Sequence, residues 1–530
     1  MDLCAALLSA LLLAAQMNCL PGTWGPSAGK ARHDAIALER IEPMSDAAEV
    51  RIDASGPLVA YSPMIFGGFV EHFDGQVYGG IFEPGSPLSD DRGFRKDVIA
   101  ALKELKIAVV RWPGGCFASG YHWRDGVGAV RKPVPDPVWG VTDPNTFGTD
   151  EFVEWCRRVG CEPYICTNAG SGTPEEMRDW VAHCNAPGRR PVRYWSIGNE
   201  NWGGHEIGAS TPALWGPLVA RSALLMRKTD PHLKLVAAAT SARDWTLPLL
   251  AAAGDELQYV AIHEYWLPCW GENLTPPYVA CIMNADGPES TILSVIRLLD
   301  EAGLRGRIKI AFDEWNLRGW HHPGFPRKAP VDPNDAEAAA LIRAREKSAI
   351  PSQYTMADAL FSASFLNACL RHSADVGMAN IAPIVNTRGP LFVHPGGIVK
   401  RTTYHVLAMY ARLLGERVAA VSVKSPRLRL GDRSVGTLDA LATCDRSRKR
   451  WRIVLINRHP TDSLLCSVTL GGAPVEGRFR ATVLDGDSPD AFNSVEQPDR
   501  VNPRAIEFEF RGGRVSLPPH SLCVVEVSQP

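Results

Sequence analysis

Two glutamates stand at the ends of strand-like runs where they could do chemistry together. Glu200 closes the run Tyr194-Trp195-Ser196-Ile197-Gly198-Asn199-Glu200. Glu314 sits within Ile308-Lys309-Ile310-Ala311-Phe312-Asp313-Glu314-Trp315-Asn316. Aromatics and amides flank both, the side chains that hold a sugar ring. Two carboxylates brought by separate strands into one pocket are what acid-assisted nucleophilic cleavage of a glycosidic bond requires, one as proton donor and one as nucleophile.

Such a pair needs a rigid scaffold that delivers strand ends to one face. Short apolar strands alternate with helical stretches from about residue 62 to 410. The candidates begin at Met64-Phe69, Ile107-Arg111, Pro163-Asn168, Tyr194-Gly198, Leu233-Ala239, Tyr259-His263, Ile308-Asp313 and Met378-Val385. Helical patterns such as RKDVIAALKEL, TDEFVEWCRRVG, ESTILSVIRLLDEAG and TMADALFSASFLNACL lie between them. In the last two, apolar residues recur at three- and four-residue steps, which predicts one buried stripe. Near-continuously apolar strands separated by helices mean a parallel sheet covered on both faces, and eight of them mean a closed (β/α)8 TIM barrel. No GxGxxG opens the first helix, which argues against a dinucleotide fold. In such barrels chemistry sits at the C-terminal strand ends, where Glu200 ends the fourth strand and Glu314 the seventh.

After TTYHVLAMYARLLGE the pattern changes to alternating strands (WRIVLINR, LLCSVTLGG, FRATVLDG, AIEFEF, LCVVEVS), an antiparallel β-sandwich. The expected organisation is a leader over 1–40, an N-terminal strand over 41–61 joining the sandwich, the barrel over 62–412 and the sandwich over 413–530. The formal net charge of −2 gives no reason to expect nucleic acid or an acidic membrane as partner. The basic run Arg446 to Arg452 reads as a solvated hairpin. Leu3 to Ala15 is too short to span a bilayer but suits the core of a secretory signal, so export or a periplasmic location is expected. A cytoplasmic enzyme with a disordered leader is the alternative. Thirteen cysteines without a CxxC pair argue against a zinc or dithiol centre, and Cys269 with Cys281 forms the one local disulfide candidate.

The segments Phe66 through Glu71-His72 to Tyr78-Gly79-Gly80, Arg111-Trp112-Pro113-Gly114-Gly115-Cys116 and Tyr121-His122-Trp123-Arg124-Asp125-Gly126 resemble glycoside hydrolase family 51. Gly198-Asn199-Glu200, His263-x-Tyr265 and Asp313-Glu314-Trp315-Asn316 extend the resemblance over the whole barrel, and LPPHSLCVVEV carries it into the last sandwich strand. The family consists mainly of retaining α-L-arabinofuranosidases. The resemblance implies Glu200 as acid/base and Glu314 as nucleophile, with Arg111 and Tyr265 close to the nucleophile and His263 orienting it or its hydroxyl partner. It makes Asn199 the partner of the sugar 2-hydroxyl, and Glu71 and Cys116 contacts for furanose hydroxyls. Trp123 and Trp315 are expected as pocket walls. Asp313, one residue from the nucleophile on a strand, is expected to face the opposite way and serve structure. An ion pair between Glu71 and His72 is the structural alternative for Glu71. His321-His322 and His205-Glu206 lack metal-ligand spacing, so no metal and no cofactor is expected.

Three departures bear on substrate. Gly389 stands where many relatives place a glutamine that contacts the sugar, with Arg388 beside it as a substitute at the rim. Asn201-Trp202-Gly203-Gly204-His205 only partly matches the family's forms. A Pro- and charge-rich insertion runs from about Trp320 to Gln353. The expectation is an exo-acting α-L-arabinofuranosidase on arabinan- or arabinoxylan-type material, possible as a homo-oligomer, with no nucleic-acid or membrane partner. A β-xylosidase or endo-β-glucanase on the same machinery, a non-catalytic carbohydrate-binding protein, and a flavin or nicotinamide enzyme remain as alternatives.

Overall fold

In the computed structural model, residues 48–267, 278–318, 354–430 and 432–528 are described. Eight parallel strands close a barrel in strict chain order. They are Gly67–Phe69, Val109–Trp112, Glu162–Thr167, Tyr194–Ile197, Lys234–Ala238, Tyr259–Leu267, Lys309–Arg318 and Val376–Ile381, the last pairing with the first. Val109, Tyr164, Val236, Ala261, Ala311 and Met378 fill the interior as a packed layer, so the barrel is a solid core beneath its upper face. The first strand is shorter than Met64-Phe69, because Ser62 caps a tight turn over Pro63–Phe66 with its hydroxyl accepting from the Met64 N–H. The eighth ends at Ile381, before Pro383, which has no N–H to extend the ladder.

The seventh strand carries the feature that shapes the site. Against the sixth strand, Ala261 pairs with Ala311 but His263 pairs with Glu314. Against the eighth, Phe312 pairs with Ala379 but Trp315 pairs with Ile381. Lys309–Arg318 therefore holds one residue more than either neighbour over this stretch, a β-bulge. Ala311 points into the barrel, so Asp313 follows it inward by alternation, and the bulge turns Glu314 inward as well. Phe312 and Trp315 both face out onto Phe365, at ring distances of 5.4 and 3.8 Å.

The helix Met356–Arg371 does not present a single buried stripe; every residue from Met356 to Leu370 is buried. One side packs its phenylalanines against the barrel wall. The other meets the sandwich, where Asn367 Nδ2 and Arg371 Nη1 donate to Asp439 at 3.1 and 2.8 Å, and Arg458 donates to Ser364 and Asp439. A helix covered on two sides needs apolar or satisfied polar residues all round. The sandwich itself consists of a seven-stranded and a five-stranded sheet around a shared apolar core. Ala48–Ile52 enters the smaller sheet between Val421–Lys424 and Leu464–Leu470, antiparallel to the first and parallel to the second, so the sandwich is not wholly antiparallel. The basic run forms the turn between the antiparallel strands Leu438–Cys444 and Arg450–Asn457. Among the described residues, no helix is long and apolar enough to cross a membrane. The leader, the 320–353 insertion and Cys269 lie outside the described residues.

Candidate active site

The upper ends of six barrel strands bring their polar side chains into one buried cluster. Arg111, from the second strand, is fully buried and forks toward four groups. Its Nη1 donates to Glu314 Oε1 at 2.6 Å, Nη2 to Asn199 Oδ1 at 2.7 Å and to Cys166 Sγ at 3.3 Å, and Nε lies 3.3 Å from Asp313 Oδ2. Burial opposes the guanidinium charge, but Cys166, Asp313 and Glu314 outweigh it and hold Arg111 well above its ordinary range. Tyr265 OH donates to the other oxygen of Glu314 at 2.8 Å. Both Glu314 oxygens are thus aimed by donors, which fixes the orientation of the carboxylate.

Glu200 follows a strand that must stop abruptly. Gly198 has φ +72°, and a Cβ there would sit 2.1 Å from Asn201 Oδ1 and 2.6 Å from the Trp215 ring, so only glycine makes the turn. Glu200 itself has φ +42°, a left-handed conformation that costs about 1–3 kcal/mol and is typical of functional positions. Its Oε1 meets His263 Nδ1 at 2.9 Å and its Oε2 meets His205 Nε2 at 2.7 Å. Burial alone would raise this carboxyl; the two histidine hydrogen bonds and their charges instead hold it well below the usual range. His263 Nδ1 lies 3.6 Å from Glu314 Oε1, and one ligand atom from each of Glu200, His263 and Glu314 falls within 4.8 Å of the others. The two glutamates, over a hundred residues apart in sequence, share one cavity.

Asp313 is part of this network rather than a structural residue on the far side of the strand. It is fully buried, accepts from Tyr164 OH at 2.8 Å and stands 3.1 Å from His263 Nε2. Although burial pushes its carboxyl up, Arg111 and His263 hold it below its ordinary value. His263 is correspondingly held well above its own, against burial, by Glu314, Asp313 and Glu200. It bridges the two glutamates, with Nδ1 2.9 Å from Glu200 Oε1 and 3.6 Å from Glu314 Oε1.

Glu71, at the end of the first strand, is not paired with His72. His72 Nδ1 lies 2.5 Å from Asp143 Oδ2, and its Nε2 accepts from Trp112 Nε1 at 2.7 Å. Glu71 Oε1 instead accepts from the Phe117 N–H at 2.8 Å and Trp139 Nε1 at 2.9 Å. Burial, and next the Glu314 charge, push it well above the usual carboxyl range, which favours its protonated form, and its Oε2 faces Gly115. The Gly114-Gly115 step keeps the cavity open: a Cβ on Gly115 would lie 2.9 Å from Glu314 Oε1 and 3.4 Å from Glu71 Oε2. Asn199 is fixed at both ends of its amide, Oδ1 by Arg111 and Nδ2 by Glu206 Oε1 at 2.7 Å, while Ser119 OH holds the second Glu206 oxygen at 2.6 Å. Cys116 Sγ lies 4.0 Å from Asn199 Nδ2, and burial drives its thiol well above its ordinary range, so it contributes surface and not a thiolate.

Two expected pocket walls are elsewhere. Trp315 has no exposure and stacks on Phe365 in the helical layer, because the bulge that turns Glu314 in turns Trp315 out. Trp123 is 6% exposed, donates to the Glu176 carbonyl and packs beside Trp180, with no contact to either glutamate. Trp139, which the sequence reading missed, supplies the indole instead, from a long loop whose sequence carries no spacing signal. His205 and Glu206, weighed in the sequence only as a metal pair, and Gln76 (accepting from the Glu71 N–H at 2.9 Å) also come from loops, whereas Tyr164 lies on the third barrel strand. Arg388 is buried rather than at a rim, and Gly389 leaves no room for a glutamine: a Cβ there would meet Val385 N at 2.6 Å. Cys116, Glu200, His205 and Glu206 also bring potential ligand atoms within 4.8 Å, but each carboxylate already engages protein donors and no ion is assigned.

A (β/α)8 barrel with two converging glutamates at its upper face defines a glycoside hydrolase. The α-L-arabinofuranosidase 1 domain profile matches residues 101–278, and the α-L-arabinofuranosidase C-terminal domain profile matches residues 313–521. The chain is 34% identical over 510 residues to α-L-arabinofuranosidase C of Emericella nidulans, covering 88% of this chain and 94% of that protein. It is 30% identical over 500 residues to an intracellular exo-α-(1→5)-L-arabinofuranosidase of Streptomyces lividans, covering 88% of this chain and 73% of that one. The family 51 α-L-arabinofuranosidase of Thermotoga petrophila superposes with a TM-score of 0.79 at 28% identity, over 91% of this chain and all of that one (100%). The chain belongs to the α-L-arabinofuranosidases of glycoside hydrolase family 51.

Proposed function

We propose that this enzyme releases terminal non-reducing α-L-arabinofuranosyl residues from plant-type polysaccharides or their oligosaccharides, by double displacement with retention. The observation that carries the mechanism is the separation of Glu200 and Glu314, within 4.8 Å by their nearer ligand atoms. That fits the roughly 5–5.5 Å of retaining enzymes and leaves no room for the water that inverting enzymes place across about 6.5–9.5 Å.

Glu314, held by Arg111 and Tyr265, attacks the anomeric carbon while Glu200 protonates the departing oxygen. Glu200 then removes a proton from the water that resolves the glycosyl-enzyme. Arg111 also fixes Asn199, whose amide faces the sugar 2-hydroxyl, so the nucleophile and that hydroxyl are positioned by one cation. Glu71 donates a hydrogen bond to a furanose hydroxyl. Trp139 holds Glu71 from behind.

The test is a panel of 4-nitrophenyl glycosides with polymeric arabinan and glucan. Activity confined to the α-L-arabinofuranoside and to arabinose release supports the reading. Preferred turnover of the β-xyloside or of glucan overturns it. Replacing Glu200 with alanine should slow poor leaving groups far more than activated aryl ones, by about 10²–10⁴-fold. We further propose export, resting on Leu3 to Ala15 and tested by N-terminal sequencing of secreted protein, and a homo-oligomeric assembly, tested by light scattering.

A further inference from the structure

Both oxygens of Glu200 are hydrogen-bonded, Oε1 to His263 and Oε2 to His205. Each imidazole takes a lone pair of this carboxyl, and a leaving-group oxygen approaching either oxygen competes with the imidazole already on it. His263 cannot yield: its side chain is 4% exposed, lies on a barrel strand and is braced by Asp313 at 3.1 Å. His205 can. Its side chain is 36% exposed and sits on the loop that follows Glu200. Beyond Glu200, Glu206 lies 3.9 Å away and the Trp202 ring centroid 6.0 Å away, and the imidazole lies against Gly203, where a Cβ would come within 2.3 Å of its Cε1. Gly204, the preceding residue, has open space where a side chain would be.

We propose that His205 carries the proton for Glu200: the N–H on its Nε2 is the proton that Glu200 Oε2 delivers to the leaving oxygen. This rests on the reading of Glu200 as acid/base. As the glycosidic oxygen arrives, the Nε2–H bond breaks and an Oε2–H bond forms, leaving a neutral imidazole that moves aside. The carboxyl then gives that proton to the leaving oxygen, which also takes the electron pair of the breaking C–O bond. In the second half Glu200 takes a proton from the attacking water and returns it to His205, so one proton leaves the imidazole and one comes back.

The electrostatics agree with this geometry. The hydrogen bond that Glu200 accepts is the main cause that holds His205 above its ordinary value, with burial opposing and the Glu200, Glu206 and Glu314 charges adding. Glu200 is held below its own value by His205 and His263. The proton therefore rests on the imidazole until a leaving group displaces it. His205 acts through Glu200 and is a positioning residue.

The test compares wild type with His205→Gln, which keeps an N–H donor toward Oε2 but cannot carry a proton. On an α-1,5-linked arabino-oligosaccharide, kcat should fall at least about tenfold further than on 4-nitrophenyl α-L-arabinofuranoside, whose leaving group needs little protonation. The basic limb of kcat/KM against pH should lose the His205 ionisation. Equal losses on both substrates with an unmoved basic limb would overturn the proposal. A parallel Glu200→Ala variant with azide separates the two claims. Azide rescue on the aryl substrate with an inert His205→Gln refutes only the proton carrier. Absence of rescue refutes Glu200 as acid/base and the carrier with it.

Discussion

Replacing Asp313 with asparagine tests the network in which the site is embedded. The carboxylate is fully buried and meets three donors: Tyr164 OH at 2.8 Å, His263 Nε2 at 3.1 Å and Arg111 Nε at 3.3 Å. Asparagine keeps the shape, removes the charge between two cations and turns an NH2 toward at least one donor. One charge-assisted hydrogen bond contributes about 1.5–3 kcal/mol. If that stabilisation is felt in the transition state, kcat/KM on the aryl arabinofuranoside should fall roughly 10- to 150-fold. Thermal stability should fall too, with a pH dependence of defined sign. Asp313 is held below its ordinary value of 3.8, so its contribution is fully present above that pH and is lost as pH falls through the folded value. The stability gap between wild type and Asp313→Asn should therefore be widest at neutral pH and close in acid. A kcat/KM within about twofold of wild type, alongside lowered stability, would mean that Asp313 only supports the core.

Glu71→Gln should retain activity within about threefold, because the amide reproduces a protonated carboxyl. Glu71→Ala should lose at least tenfold more and leave Phe117 N–H and Trp139 Nε1 without an acceptor, costing on the order of 1–3 kcal/mol each. A Gln variant as inactive as the Ala variant would show that the ionised form is needed. Gly115→Ala puts a methyl 2.9 Å from the nucleophile oxygen, and kcat/KM should drop by about 10²-fold with little change in thermal stability. Trp315→Ala should do the reverse, costing about 3–5 kcal/mol in denaturant unfolding while the folded enzyme keeps its KM. A raised KM would return Trp315 to the pocket.

The parts of this fold that repeat were legible: alternating strand and helix patterns specified the closed barrel, and motif residues at strand ends converge as their positions implied. Arg111, Asn199, Glu200, His263, Tyr265 and Glu314 meet because each ends or follows an inward-facing strand position. What escaped was local register. One extra residue in the seventh strand turns Glu314 inward beside Asp313, which alternation from Ala311 already points inward, and turns Trp315 outward; no composition marks a bulge in Phe312-Asp313-Glu314-Trp315. Trp139, His205 and Glu206 reach the site from loops, where spacing along the chain says nothing of spacing in the fold. The all-round burial of Met356–Arg371 depends on the second domain that covers it, which helical periodicity alone does not register.

The central claim is that Glu314 attacks a sugar while Glu200 assists from the same cavity. Incubation with an activated 2-deoxy-2-fluoro-α-L-arabinofuranosyl donor, followed by peptide mass mapping, tests it most directly. One fluorosugar on the peptide containing Glu314, accumulating in wild type and absent from Glu314→Gln, is the predicted result. A label on Glu71, Glu206 or Asp313, or turnover with no covalent species and inverted product, would contradict it.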